Sequence, residues 1–287
     1  MPTLVTGAAT PAGRACVRAL LRGGGEVRAY LDPETAAEGT VGGLRALGVK
    51  TARGALDDEG RLELACEQVH TVVHAAADPL VAPATVLDDL ATVASAALGA
   101  GCRRLVLVSH LGADDPGDNE WLIALGAAEE LAADSPVDTV VLRRSLTYGP
   151  DDPLTEALVA GAAGADLEAM HAPLWIDDLA AAAVAADARD REDGALPHLL
   201  VPLGGPRACS LGELVALLGG QVTGGLRSSI ARAVPGQRRL PSHVLDLLSR
   251  DLLPPRDAPT AGTSPEAGSD QVRASAGTGG AHRQEQS

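Results

Sequence analysis

Short apolar runs alternate with helix-spaced apolar stripes through the first half of the chain. Thr3–Thr6, Glu26–Leu31, Thr71–His74 and Leu105–Ser109 are rich in Val and Leu and bounded by Gly, Asp or Ser, which predicts buried strands. Between them, Gly13–Arg22, Thr35–Leu47, Glu59–Glu67 and Val86–Ala100 carry apolar residues at helical spacing. Trp121–Ala133 extends the pattern as a helix and Thr139–Arg143 as a strand. Strands that alternate with helices pair in parallel through right-handed crossovers, so a doubly wound α/β sheet of the Rossmann type is expected.

The second half is less regular. Leu154–Ala163, Asp177–Ala188, Leu211–Leu218 and Pro241–Leu253 read as helices and His198–Pro202 as a strand. Residues 254–287 are rich in Pro, Gly, Ser, Ala and Thr, with almost no large apolar side chain to offset the entropy of ordering. The expected organisation is a Rossmann domain over 1–150, a small C-terminal α/β lobe over 151–253 and a disordered tail over 254–287.

Composition narrows the picture. A chain of 287 residues can bury a sizeable core, and with no Phe, two Trp and two Tyr that core must come from Ala, Val and Leu. The net charge of −15 disfavours nucleic acid and anionic membranes as partners, because their phosphates would be repelled. The pairs Arg103-Arg104, Arg143-Arg144 and Arg238-Arg239 read as solvated helix ends and strand edges. Cys16, Cys66, Cys102 and Cys209 lack CxxC spacing, which points to buried free thiols and no metal site. No charged leader precedes the first strand, and no run of about 18 apolar residues suggests a span, so a soluble cytoplasmic protein is expected.

The candidate binding chemistry lies in the first strand-to-helix turn, Thr6-Gly7-Ala8-Ala9-Thr10-Pro11-Ala12-Gly13. Gly7 permits a tight exit from the strand, Gly13 lets the helix approach the sheet, and amides at the helix N-terminus suit a pyrophosphate. The turn sits in a βαβ unit of about thirty residues, the context that makes a glycine pattern meaningful. It resembles the T-G-x-x-G-x-x-G turn of the extended and atypical short-chain dehydrogenase/reductases, including the NAD-dependent epimerase/dehydratase-like and NmrA-like branches. Thr10 stands at the middle glycine, where its Cβ would crowd the pyrophosphate. Gly25–Pro33 resembles the second strand of the atypical branch, with Asp32 where an arginine often grips the 2′-phosphate of NADP. A carboxylate there implies NAD as cofactor. Gly54-Ala55-Leu56-Asp57-Asp58 is similar to the end of the family's third strand, and Val73–Ala77 to its fourth. The resemblance therefore implies Gly7, Thr10, Pro11, Ala12, Gly13, Asp32, Leu56, Ala75 and Ala76 as cofactor-binding residues.

The catalytic motif departs from the family. Ser109 matches the strand-end serine, and the helix through Glu129-Glu130-Leu131 aligns with the one that carries Tyr-x-x-x-Lys. That alignment puts Trp121 at the tyrosine and Leu125 at the lysine. Lys50 is the only lysine, and neither Tyr30 nor Tyr148 has a lysine four residues on, so ordinary tyrosine-driven chemistry is excluded. Ser109 and His110 remain as candidate catalytic groups, His110 because it titrates near neutrality, though strand alternation would turn its ring away from Ser109. Asp114-Asp115 reads as a solvated turn. Leu142–Pro150, Pro173–Ala180 and Gly204–Leu214 resemble later elements of the extended branch, with Asp177 or Asp178 as a helix N-cap. Two functions remain open. One is an NAD(P)-dependent oxidoreductase or epimerase-like enzyme acting on an unidentified small molecule through a non-standard site. The other is a noncatalytic dinucleotide-binding sensor or assembly protein, a pseudoenzyme with a protein partner.

Overall fold

A computed structural model describes residues 2–34, 36–80, 82–161, 164–189, 198–220 and 240–284. Thr35, at the expected start of the second helix, Arg238-Arg239 and the last three residues of the tail lie outside the described residues. The chain divides into two compact units, Met1–Arg144 with Leu179–Pro202 and Ser145–Asp178 with Leu203–Ser287. The division thus differs from the two consecutive segments expected, because each unit takes back a later stretch of chain.

The first unit holds β1 (Thr3–Thr6), α1 (Pro11–Arg22), β2 (Val27–Leu31), α2 (Glu38–Ala46), β3 (Lys50–Arg53) and α3 (Glu59–Cys66). It continues with β4 (Thr71–His74), α4 (Val86–Gly99), β5 (Arg104–His110), α5 (Glu120–Asp134) and β6 (Asp138–Arg144). The sheet has seven strands, ordered β10-β6-β5-β4-β1-β2-β3, where β10 spans His198–Leu203. The pairs from β3 through β6 are parallel, with Thr3 opposite both Val27 and Thr71, and Leu31 opposite Arg53. This is the doubly wound Rossmann-type sheet.

Helices on the faces bury such strands, which is why they read as apolar runs rather than alternating ones. Every residue of β1, β4 and β5 is buried. Arg104, at the start of β5, is 4% exposed and corrects the expectation of a solvated strand edge. Its guanidinium donates to Asp138 Oδ2 from Nε (3.0 Å) and Nη2 (2.7 Å), and from Nη1 to the Ala186 and Asp187 carbonyls. Charge and donors are thus answered inside the fold, the condition under which a buried cation is tolerated. All four cysteines are free and buried.

The second unit holds β7 (Thr147–Tyr148), α6 (Pro153–Gly161), β8 (Met170–His171), β9 (Leu174–Trp175) and the start of α7 (Ile176–Ala188). It ends with β11 (Cys209–Ser210), α8 (Leu211–Leu217), α9 (Ser242–Leu248) and α10 (Pro265–Gln284). Strand β7 pairs parallel with β9, and β11 pairs antiparallel with β8. A capping box closes the N-terminus of α8, with the Ser210 hydroxyl on the Glu213 amide and the Glu213 carboxylate on the Ser210 amide.

The tail corrects the expectation of disorder, because α10 occupies much of it. Its contacts combine backbone, small residues and an ion pair between Arg207 and Glu266. The Ala261 amide donates to the Gly204 carbonyl, the Thr263 amide to Asp178 Oδ2, and the Tyr148 hydroxyl to the Ser264 carbonyl at 3.3 Å. Gly268 lies against the Tyr148 ring, where an added Cβ would fall 2.3 Å from the hydroxyl oxygen. Asp178 therefore serves Thr263 from within the first turn of α7 rather than capping that helix.

Candidate functional site

The expected cofactor-binding residues gather at the C-terminal ends of four adjacent strands. Gly7 follows β1, Asp32 follows β2, Leu56 follows β3, and Ala75 and Ala76 follow β4. In a doubly wound sheet this carboxyl edge is where ligands bind, because the crossover loops leave a crevice there.

The first turn is built by close backbone approach. Gly7 has φ +68°, and a Cβ on it would lie 2.5 Å from the Ala76 backbone. A Cβ on Gly13 would lie 2.1 Å from the Gly7 carbonyl oxygen, so both positions exclude any side chain. Thr10 is the N-cap of α1, with φ −70°, a conformation open to any residue. Its hydroxyl accepts from the Gly13 amide (3.0 Å) and donates to the Ala75 carbonyl (2.9 Å), tying the turn to the end of β4. Pro11 supplies no N–H and the Arg14 amide reaches the Thr10 carbonyl, which leaves the Ala12 amide as the remaining donor of the helix tip. The Arg14 guanidinium donates to the Ala9 carbonyl at 2.6 Å, placing a cation beside the turn.

Beneath the turn, His74 Nδ1 and the Thr6 hydroxyl share a hydrogen bond of 2.8 Å. Burial drives the His74 pKa down to about 4, so the ring is neutral at physiological pH. At the end of β2, Asp32 Oδ1 accepts the Glu34 amide at 2.7 Å, a local turn that uses one face of the carboxylate. The residues fit a dinucleotide: a glycine-shaped turn, a helix-tip amide, a carboxylate at the second strand and small side chains after the fourth.

The ends of β5 and β6 differ in kind. Ser109 is 1% exposed, and its hydroxyl donates to Glu129 Oε1 at 2.5 Å. Glu129, on α5, also receives Nε (2.9 Å) and Nη2 (2.5 Å) of Arg143. Arg143 Nη1 reaches Asp114 at 2.8 Å, so Asp114 is an ion-pair partner as well as an exposed turn residue. Burial opposes the charge on Arg143, but its contacts with Glu129 and Asp114 outweigh that and raise its pKa. Glu129 and Arg143 had not been expected to carry this network. Their separation in sequence hides it, and only the pairing of β5 with β6 under α5 brings them together.

His110 is buried, and its Nδ1 bonds to the Leu111 carbonyl at 2.7 Å. Its ring packs edge-on against Trp121, with centroids 5.5 Å apart. Ser109 and His110 therefore both meet α5, at different turns. Trp121 and Leu125 are wholly buried. Among the described residues, no cluster of three or more His, Cys, Asp or Glu side chains could hold a metal ion, and no helix is long and apolar enough to cross a membrane.

Residues 7–187 match the model of a protein family described as NAD(P)H-binding. No curated protein matches the chain by sequence. Among solved structures, a nucleoside-diphosphate-sugar epimerase from Pseudomonas aeruginosa superposes with a TM-score of 0.75 at 15% identity, covering 98% of each chain. The UDP-glucose 4-epimerase of Thermotoga maritima gives a TM-score of 0.73 at 16% identity, over 97% of this chain and 99% of that one. A dTDP-glucose 4,6-dehydratase from Bacillus anthracis, solved with NAD, gives 0.73 at 16% identity over 97% of each. At these identities the likeness is one of fold, which is that of the epimerase/dehydratase structures.

Proposed function

The chain belongs to the NAD(P)H-binding family, and from that membership we propose that it binds NAD(H) in preference to NADP(H) and performs no tyrosine-dependent hydride transfer. The pyrophosphate would rest on the Gly7–Gly13 turn and the Ala12 amide, and Asp32 would accept from ribose hydroxyls. Leu56, Ala75 and Ala76 would flank the nucleotide. A bound nicotinamide supplies hydride-transfer chemistry, and what this chain adds at that end is packing rather than proton transfer. The carrying observation is that Trp121 and Leu125, in the places where the resembling enzymes hold tyrosine and lysine, are wholly buried. An indole and an isobutyl group cannot exchange a proton at neutral pH. The Ser109 hydroxyl is committed to Glu129, and the buried His110 to the Leu111 carbonyl. Binding is then the output, read by a small-molecule or protein partner. The net charge of −15 argues against nucleic acid and anionic membrane in that role, and the free cysteines fit the cytoplasm.

The whole-length likeness to nucleotide-sugar enzymes favours a second reading, an epimerase- or dehydratase-like activity with a non-standard proton donor. One experiment separates the two. Calorimetry measures NAD(H) binding, and the loaded protein is then offered UDP-glucose and dTDP-glucose while nicotinamide absorbance and sugar products are followed. Binding without turnover is expected. Sustained conversion of either sugar nucleotide would refute the noncatalytic reading, and failure to bind either nucleotide would refute both.

A further inference from the structure

At the β2–β3 edge an arginine is held by a carboxylate. Leu31 pairs with Arg53 across β2 and β3, and the Gly54 amide donates to the Leu31 carbonyl. Arg53 and Asp32 therefore sit at neighbouring strand ends, on the carboxyl edge of the sheet. An arginine in that place suits a 2′-phosphate, since a guanidinium binds phosphate through paired, charge-assisted hydrogen bonds. Here its Nη1 lies 2.8 Å from Glu38 Oε1. Glu38 opens α2, where the helix N-terminus favours a carboxylate and holds it in place.

Other groups at this edge are answered in the same sense. Arg61 donates to the Arg53 carbonyl and faces Asp58 at 3.3 Å, while Arg45 donates to the Thr51 hydroxyl. Helices α3 and α4 run alongside each other in the same direction, because Ser95 meets Glu59 and Gly99 abuts Glu63 at one constant offset. The first turn of α4, with Asp88 and Asp89, therefore overhangs the start of α3 and the loop holding Asp57. Asp89 is held above its usual pKa by burial first and then by the like charges of Asp57, Asp88 and Asp32, which marks how acidic the corner is.

We propose that Glu38 is a positioning residue for nucleotide choice: by occupying Arg53 it denies a 2′-phosphate the guanidinium at this strand edge. The inference rests on the NAD(H) reading given above. Asp32 then disfavours the phosphate directly, and Glu38 removes the group that would otherwise compensate. Preference for NAD(H) is set at two places, so neutralising Asp32 alone does not reverse it.

Calorimetric titration of NAD and NADP into wild type, Glu38→Gln and the double variant Glu38→Gln/Arg53→Gln tests this. Glu38 is exposed, so the first change leaves the fold intact. Glu38→Gln is expected to tighten NADP binding about tenfold, the scale of one charge-assisted contact, with NAD binding little changed. The double variant should lose that gain, and added salt should erode it. A merely structural role for Glu38 would move both nucleotides together. Unchanged NADP affinity in Glu38→Gln, with NAD still bound, would overturn the inference and leave the NAD(H) reading standing. Tighter NADP than NAD binding in wild type would overturn it as well, pointing to Arg14 or an already available Arg53. Binding of neither nucleotide would overturn the reading beneath it.

Discussion

The first turn and the ends of β5 and β6 depart from the same family pattern, each by a few side chains, with opposite consequences. At the turn, Thr10 replaces a glycine, and its hydroxyl is absorbed into the structure as an N-cap and a tie to Ala75. The shape survives because backbone builds it, and the positions that exclude a Cβ, Gly7 and Gly13, are intact. At β5 and α5, two replacements remove the tyrosine and lysine of the resembling enzymes, and the remaining polar side chains turn inward. Ser109, Glu129 and Arg143 satisfy one another, and Trp121 and Leu125 join the core. A binding surface made of main chain tolerates substitution, whereas chemistry held on two or three side chains does not.

The hardest test of this contrast is to restore the missing pair. Leu125 is wholly buried, so Trp121→Tyr with Leu125→Lys places an ammonium in an apolar core and leaves a void beside His110. We expect a loss of about 4 kcal/mol or more by urea denaturation, and no reductase activity. Gain of activity in a stable double variant would show that the pocket opens at this point and would dissolve the contrast. Gly13→Ala attacks the other region. Its Cβ would meet the Gly7 carbonyl at 2.1 Å, and one backbone must move, costing about 3 kcal/mol together with nucleotide binding. Calorimetry on the folded fraction would show whether binding survives, and survival would mean that the turn is not the site.

How much of this was legible in the sequence follows from what each part is made of. Strands β1 and β4 have the ends read from their apolar runs, because a strand buried on both faces announces itself by composition. Strand β3, Lys50–Arg53, has no such run: it lies at the edge of the sheet, its residues are partly exposed, and only the likeness of Gly54–Asp58 to a strand end hinted at it. The tail misled because bulk composition ignores local signals. Ser264-Pro265-Glu266 is a helix start, with the Ser264 hydroxyl on the Ala267 amide and proline in the first turn. Small residues then pack where large ones were sought. In the site, the glycine turn was readable because it is contiguous. The Ser109–Glu129–Arg143–Asp114 network was not, since it joins residues from three elements and a loop.

Acid should bear on the binding region in particular. His74 stays neutral in the fold with a pKa of about 4, whereas in the unfolded chain it protonates near 6.5. The unfolded state therefore binds the extra proton between those values, and stability falls as pH drops through the window. It is fully present above about 6.5, and the loss amounts to at most about 3 kcal/mol. His171, whose pKa burial also lowers, adds in the same direction. Urea melts between pH 7 and pH 4 should show a shallower slope in His74→Asn than in wild type. Parallel profiles would assign the titration to another group and free the Thr6–His74 pair from any part in holding the turn.

The smallest effect is the most specific to the contrast. If Thr10 matters only through its hydroxyl, Thr10→Val, which keeps the shape and removes both hydrogen bonds, should cost about 1 kcal/mol, the usual worth of an N-cap. Thr10→Ser keeps both bonds and should cost little. Thr10→Gly restores the family's residue and should lose only a few tenths of a kcal/mol as a cap, since glycine at that position leaves the amides to water or to a ligand. Nucleotide affinity divides the cases further. In Thr10→Gly the Gly13 amide is released from the hydroxyl that now holds it at 3.0 Å and becomes a second donor at the helix tip beside that of Ala12. NAD should then bind more tightly, by about threefold to tenfold, on the scale of one hydrogen bond to a charged group partly offset by lost rigidity. Unchanged or weaker binding in Thr10→Gly would mean that the threonine hydroxyl itself contacts the pyrophosphate, and the substitution at the turn would have to be read as a gain rather than as one the backbone absorbs.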